Sequence, residues 1–450
     1  MRKQDMTLDN AARRKQTAAR EERMRTRPPK GPQLVGELAD RTREPDSVRS
    51  DNIGFVLDIL RQEGPISRIE ISAALELSRS TVTEITAELL NDGLIQVHED
   101  EEAADSATVR GRPRVRLSLN PRAAYAVGVR LGLSQITVSV TDFVCDVLHS
   151  STLPFRSSRQ APEVVADVVE DAILRTVADC DLKLSDINAV CVGVPGMVDS
   201  KLGICHWSPA FSRIPVPFAD LLSQRLNIPV VIETHTVPLA TAERNFGSAQ
   251  DQDTCVVITL GHGVGMGILI NGEVYRGAHG FASEFSHTKI EEGGPLCECG
   301  QHGCLEAHIG FRAILQAAGE EVAGPVSEDP RSRERKVLEL IERADAGNEH
   351  LRTVFAQVGT YLGRSLANLC GVIDPARIIF SGLNMRSSHY WLEPAKTALF
   401  ANVRAPMQGR LEFVVNDRDD VFWSRGAAAL VLHQLYRSPL LLRAKKSAAQ

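Results

Sequence analysis

Residues 284-EFSHTKIEEGGPLCECGQHGCLE-306 set one histidine and three cysteines at a spacing of His-x9-Cys-x-Cys-x4-Cys. Thiolate sulfurs and an imidazole nitrogen make closed four-coordinate zinc sites, in which no position is left for water. Gly293, Gly294 and Gly300 let the backbone curl tightly enough for His287, Cys297, Cys299 and Cys304 to converge on one structural Zn2+. His302 and His308 are competing nitrogen donors, although His302 sits inside the cysteine loop itself. The other six of the nine cysteines are scattered singly, which is cytosolic usage with one local cluster and not a disulfide framework.

On both sides of this loop the chain alternates between β-rich and helical segments. Upstream, 126–130, 136–142 and 146–151 read as strands, 162–180 as a helix and 189–194 as a buried strand. From 254 onward a similar order recurs: strands over 254–260, 267–270 and 273–275, helical sequence after Gly303, a long helix over 351–373 and a strand over 377–380. The expected fold class is α/β, with two lobes of one plan and a cleft between them.

The N-terminal part reads differently. Ile53, Val56, Leu57 and Leu60 follow helical spacing up to Gly64-Pro65, and Ser67-Arg68-Ile69-Glu70 is a capping box that opens a short second helix. A third helix over 79–91 buries Val82, Ile85, Leu89 and Leu90 and leaves Arg79, Ser80, Thr81 and Thr83 on its outer first turn. Strands over 94–98 and 115–119 complete a winged helix-turn-helix, whose third helix enters the major groove of operator DNA. Arginines alternate along Arg110-Gly111-Arg112-Pro113-Arg114-Val115-Arg116. Arg112 and Arg114 suit a narrow minor groove; the competing reading pairs them with the acidic loop 99–105.

Composition bounds the remainder. A chain of 450 residues with 43% hydrophobic and 24% charged residues holds two or three domains and can bury sizeable cores. The net charge of −6 hides an asymmetry: residues 1–50 carry +5, which leaves −11 for the rest. Residues 1–50 read as a disordered basic tail, 51–120 as the winged helix-turn-helix and 121–450 as the two-lobed domain. No apolar run approaches a membrane span and no signal peptide is legible, so a cytoplasmic location and no membrane partner are expected.

The stretch Gly277–Ile309, with Gly280, Glu284, His287, Gly293-Gly294, Cys297-Glu298-Cys299-Gly300 and Gly303-Cys304-Leu305-Glu306, resembles the signature of the ROK family (repressors, open reading frames and sugar kinases). The winged helix followed by Gly111-Arg112-Pro113 and Leu117-Ser118-Leu119-Asn120-Pro121 is similar to its transcriptional-repressor branch, that of the xylose and N-acetylglucosamine repressors. This resemblance implies an actin-like, sugar-kinase type fold and control of carbohydrate genes by a bound sugar. It places sugar hydroxyls on Glu284, His287 and Glu306, with the loop Gly193-Val194-Pro195-Gly196-Met197-Val198-Asp199 lining the pocket by backbone. His287 would use one ring nitrogen for zinc and the other for the ligand.

Departures from the family's kinases point away from catalysis. Their first phosphate loop, Asp-x-Gly-Gly-Thr-Lys, corresponds here to Arg130-Leu131-Gly132-Leu133-Ser134-Gln135. Their catalytic Asp corresponds to His235 and the preceding Asn to Thr234, so both residues reshape that end of the sugar pocket. His262 stands in the second glycine loop where kinases carry a small Thr. The expected activity is a sugar-responsive DNA-binding repressor without enzymatic turnover, working as a homodimer or homotetramer on a palindromic operator. An active sugar kinase with a DNA-binding head is the alternative.

Overall fold

The computed structural model describes residues 45–98, 115–282, 284–322 and 329–437. Among them no helix is long and apolar enough to cross a membrane. Arg112, Arg114, the acidic loop 99–105 and nearly all of the expected tail lie outside the described residues. The described part divides into two compact units.

The first unit contains α1 (Pro45–Glu63), β1 (Ile66–Ser67), α2 (Arg68–Leu75), α3 (Arg79–Asn91), β2 (Ile95–His98) and β3 (Arg116–Leu119). Its antiparallel sheet has the order β1-β3-β2, with Ile66 opposite Leu117 and Ile95 opposite Leu119. The capping box forms as the sequence predicts: Ser67 N donates to Glu70 Oε2 at 2.8 Å and Glu70 N to Ser67 Oγ at 3.4 Å. Val56, Leu57, Ile71, Val82, Leu89 and Leu117 are fully buried and form the centre of this unit. Two boundaries differ from the sequence reading. The first helix reaches back to Pro45, into the expected tail, because Pro suits the first helical position and the apolar stripe need only begin further on. Residues 433–437 group with this unit and not with the second, and His433 Nδ1 lies 3.4 Å from Asp58 Oδ1 of α1.

The second unit is built twice on one plan. Its first half runs β4 (Tyr125–Leu131), β5 (Gln135–Thr141), β6 (Val147–Pro154), α4 (Pro162–Ala178), β7 (Ile187–Val194), the hairpin β8 (Met197–Asp199) and β9 (Ile204–Trp207), α5 (Phe218–Leu226), β10 (Val230–Thr234) and α6 (Thr236–Phe246). The second half runs β11 (Cys255–Leu260), β12 (Val264–Ile270), β13 (Glu273–Val274), α7 (Glu306–Ile309), α8 (Phe311–Ala317), α9 (Pro330–Asp345), α10 (Glu349–Ile373), β14 (Arg377–Ser381), α11 (Ser388–Asn402), β15 (Glu412–Asn416) and α12 (Asp420–Arg437). The sheet orders, β10-β7-β4-β5-β6 and β13-β12-β11-β14-β15, are the same when read from opposite ends. In each, an antiparallel meander is extended by two parallel strands. The central strand Cys255–Leu260 is wholly buried, because helices cover both faces of the sheet.

Each half sends its last helix onto the other half's sheet. Leu239 and Ala240 of α6 share a core with Val257, Leu269 and Ile379. Ser424 of α12 meets Ser139 of β5, Oγ to Oγ, at 2.6 Å. The helix approaches β4 so closely that a Cβ on Gly128 would fall 1.8 Å from Ser424 O.

Candidate functional site

The four candidate metal ligands are gathered by a short two-stranded fold of the loop. Isolated bridges pair Lys289 with Cys304 and Leu296 with His302, and Cys297 N donates to Gln301 O at 2.8 Å. The donor atoms of His287, Cys297, Cys299 and Cys304 all lie within 4.8 Å of one another. Cys299 Sγ and Cys304 Sγ are 3.7 Å apart, and Cys297 Sγ is 3.6 Å from His287 Nδ1. A tetrahedral zinc holding sulfur at about 2.3 Å and nitrogen at about 2.0 Å spaces its ligands at about 3.8 Å and 3.5 Å, whereas a disulfide would need about 2.05 Å. The residues therefore fit the ion. Burial, aided by Lys289, pushes the His287 imidazole toward the neutral form that a metal requires. Neither His302, whose Nδ1 is 2.9 Å from Gly294 O, nor His308 belongs to the set.

Residues invisible to local spacing surround this loop. Lys289 Nζ lies 2.9 Å from Cys304 Sγ. Glu298, between the first two cysteines, accepts from Arg333 of α9 at 3.2 Å and faces Arg312 of α8 at 3.8 Å.

The expected ligand-binding residues of the second half do come together here. Glu284 Oε2 lies 3.8 Å from His287 Nε2, so one ring nitrogen faces the thiolates and the other a carboxylate. Glu306, at the start of α7, accepts from Val264 N at 3.2 Å, and its other oxygen is 3.9 Å from Cys297 Sγ. Burial raises Glu306 to about 7 against the pull of the Val264 amide, and burial raises Glu284 as well.

From the first half, Thr234 Oγ1 donates to Gly196 O at 2.8 Å, tying the end of β10 to the loop before β8. Gly196 has φ +125°, and a Cβ there would meet Trp207 O at 2.1 Å, so only glycine fits. His235 stacks on Trp423 with centroids 5.5 Å apart and planes at 16°. Burial, reinforced by Arg130, keeps its imidazole neutral down to about 4, and the buried Nδ1 has no hydrogen-bond partner among the described residues. The side chain reaches the second half: a Cβ on Gly265 of β12 would lie 3.5 Å from His235 Nε2.

Beside these residues, the Arg130 guanidinium pairs with Asp420 and sits 4.5 Å above the Trp423 ring. Gln135 Nε2 donates to the same carboxylate at 2.8 Å, and Gly132 N donates to Gln135 O at 2.9 Å across the turn that holds Leu133. His262 lies edge-on to Phe311 at 5.2 Å and 3.9 Å from Glu334, neutral down to about 4 because it is buried and near Arg333 and Arg130.

In the first unit, Ser78 caps α3 by accepting from Thr81 N at 3.1 Å. Its hydroxyl also lies 2.8 Å from those of Ser80 and Thr81, while Thr83 Oγ1 donates to Arg79 O at 2.7 Å. Arg79, Ser80 and Thr83 are exposed and Thr81 half-buried, so the four share an ordered polar first turn. Further along the same helix, Glu88 and Glu84 face Arg49 of α1 at 2.9 Å and 4.0 Å.

The ROK family model matches residues 126–434, and a MarR family model matches residues 52–102. The DNA-binding transcriptional dual regulator NagC of Escherichia coli (strain K12) is 29% identical over 345 residues, covering 75% of this chain and 81% of that protein. The xylose repressor of Bacillus subtilis (strain 168) is 24% identical over 398 residues, covering 88% and 97%. A crystallised ROK family transcriptional regulator, a homolog of the Escherichia coli MLC protein, superposes with a TM-score of 0.73 at 26% identity over 88% of this chain and 99% of that one. With more than half of its length matched by the family model, the chain belongs to the ROK family.

Proposed function

We propose that this protein is a sugar-responsive, DNA-binding transcriptional regulator that represses carbohydrate catabolism or transport genes. The observation that carries the reading is a winged helix with an ordered polar first turn on α3, joined in one chain to a ROK fold. Arg79, Ser80, Thr81 and Thr83 read the major groove, with Arg112 and Arg114 in the minor groove. A homodimer or homotetramer in the cytoplasm binds a palindromic operator, because two-fold symmetry in the protein matches two-fold symmetry in the site.

The sugar lies among Glu284, His287, Glu306, Thr234, His235 and the backbone at Gly196. Each carboxylate accepts hydroxyl hydrogen bonds, and His287 Nε2 faces the same space. His287, Cys297, Cys299 and Cys304 hold a structural zinc, which, when bound, ties the loop shut and orients the His287 ring. Phosphoryl transfer is absent from this reading: Arg130, paired with Asp420 and stacked on Trp423, stands where a kinase needs an acidic residue, and His235 is packed instead of poised.

Fluorescence anisotropy with duplexes from the DNA flanking the gene, with and without N-acetylglucosamine or xylose, tests the reading. Sequence-specific binding that a sugar alters supports it. No specific binding to any flanking duplex sinks the DNA half, and ADP release at ordinary kinase rates over a sugar panel makes the protein an enzyme.

A further inference from the structure

We infer that Arg276 is a positioning residue that joins the two lobes across the ligand cleft and, through its pair with Glu233, sets how tightly the cleft holds its ligand. The inference rests on the sugar-cleft reading above and adds the element that holds the cleft together.

Glu233 lies on β10 of the first half, opposite Gly193 in the parallel register, and is only 5% exposed. Arg276 follows β13 of the second half, and its Nε donates to Glu233 Oε1 at 2.7 Å. Its Nη1 reaches back to Val274 O at 3.4 Å, so the guanidinium is anchored at both ends.

A lobe-to-lobe contact continues beyond the pair. Ala282 N donates to Arg276 O at 3.0 Å, which closes residues 276–282 into a compact loop. That loop lies on the β8–β9 hairpin: Phe281 meets His206 edge-on at 5.4 Å, and Gly280 approaches so closely that a Cβ would be 2.9 Å from Val198 O. The chain then leads directly into Glu284 and His287, while Glu233 directly precedes Thr234 and His235. Along the chain the ion pair thus adjoins both sets of proposed ligand-facing residues and belongs to neither.

A carboxylate removed from water keeps its charge only beside a partner, and separating the pair leaves it buried and uncompensated. The joined arrangement is favoured accordingly. Loosening the pair populates a separated arrangement, and apparent affinity falls in proportion to the joined fraction.

The test uses full-length zinc-loaded protein carrying nitroxide-bearing unnatural residues at Val164 of α4 and Val372 of α10, both exposed. Pulsed dipolar spectroscopy on sugar-free protein should give one distance in the wild type and an additional longer one in Arg276→Gln and Glu233→Gln. Arg276→Lys, which retains the charge and so guards against misfolding, should show the longer distance at lower occupancy. N-acetylglucosamine or xylose, whichever the wild type binds, should bind the Gln variants about tenfold more weakly or worse if the joined fraction falls to a tenth. Variants with wild-type distances, native circular dichroism and full zinc content overturn the inference. Wild type that binds no sugar while the variants still lengthen the distance leaves the joining role standing and defeats the sugar reading.

Discussion

Lys289 Nζ lies 2.9 Å from Cys304 Sγ, held there by the bridge that sets the two residues opposite one another. With the proposed Zn2+ bound, three thiolates and one neutral imidazole would leave a net negative charge in a loop where Cys304 is fully buried. An ammonium at hydrogen-bond distance would cancel it.

Lys289→Met should therefore weaken zinc binding by about 10- to 100-fold, the usual cost of losing an outer partner of a metal ligand. Competition with a chromophoric chelator measures this directly, and Lys289→Arg should recover most of the loss. Equal zinc affinity in wild type and Lys289→Met removes the charge from the account.

His235 and His262 are both held to about 4, against about 6.5 in an unfolded chain. Below pH 6.5 the unfolded chain takes up protons that the folded chain refuses, so stability falls as the pH drops from about 6.5 to 4. Above that window both states are neutral and these residues contribute no slope. The loss reaches about 3 kcal/mol for each residue at the acid end. Urea unfolding at pH 7.5 and pH 5 should show a smaller drop for His262→Gln than for the wild type. An identical drop means that His262 titrates normally in the fold.

Arg130 and Asp420 are partly buried, with side chains 18% and 15% exposed. Arg130→Ala strands the carboxylate beside Trp423 and should cost about 3 kcal/mol in denaturant unfolding. The Arg130→Ala/Asp420→Ala pair should recover a good part of that cost, since neither charge is then left alone. Additive losses in the double-mutant cycle would show that the two side chains do not interact.

Ser78→Ala removes the cap of α3 and should cost about 1 kcal/mol of stability. Because Ser78 Oγ also holds the Ser80 and Thr81 hydroxyls, operator affinity should fall further than stability alone accounts for at temperatures where the variant is fully folded. Anisotropy titrations at fixed salt decide it; unchanged affinity would separate the cap from DNA reading. Arg79→Ala should flatten the salt dependence of binding by about one unit if the side chain meets a phosphate.

Several features were legible because their determinants are neighbours in the chain. The capping box at Ser67 and Glu70 needs only residues three apart, and the cysteine–histidine loop needs a fixed spacing with glycine at the bends. The strand-rich and helical order of both halves followed from apolar runs and breaks. The start of α1 was not legible, because its first turns carry few apolar residues and one of them is tied down by Arg49 pairing with Glu88 of another helix. Neither was the grouping of residues 433–437 with the first unit, since nothing near His433 announces Asp58.

By itself the sequence determined the repeated α/β plan, the helix-turn-helix and the convergence of one histidine with three cysteines, each written in periodicity or spacing over a few dozen residues. The resemblance to the family's kinases also set Arg130, Leu133 and His235 apart as departures from their phosphate and base positions. The partners that Arg130 and His235 find were decided only in three dimensions. Asp420 and Trp423 reach Arg130 because α12 crosses onto the first half's sheet, and Arg276 reaches Glu233 because the loop after β13 lies on the β8–β9 hairpin. A charge far along the chain finds its partner through the packing of sheets and crossing helices, and local pattern carries no record of that encounter.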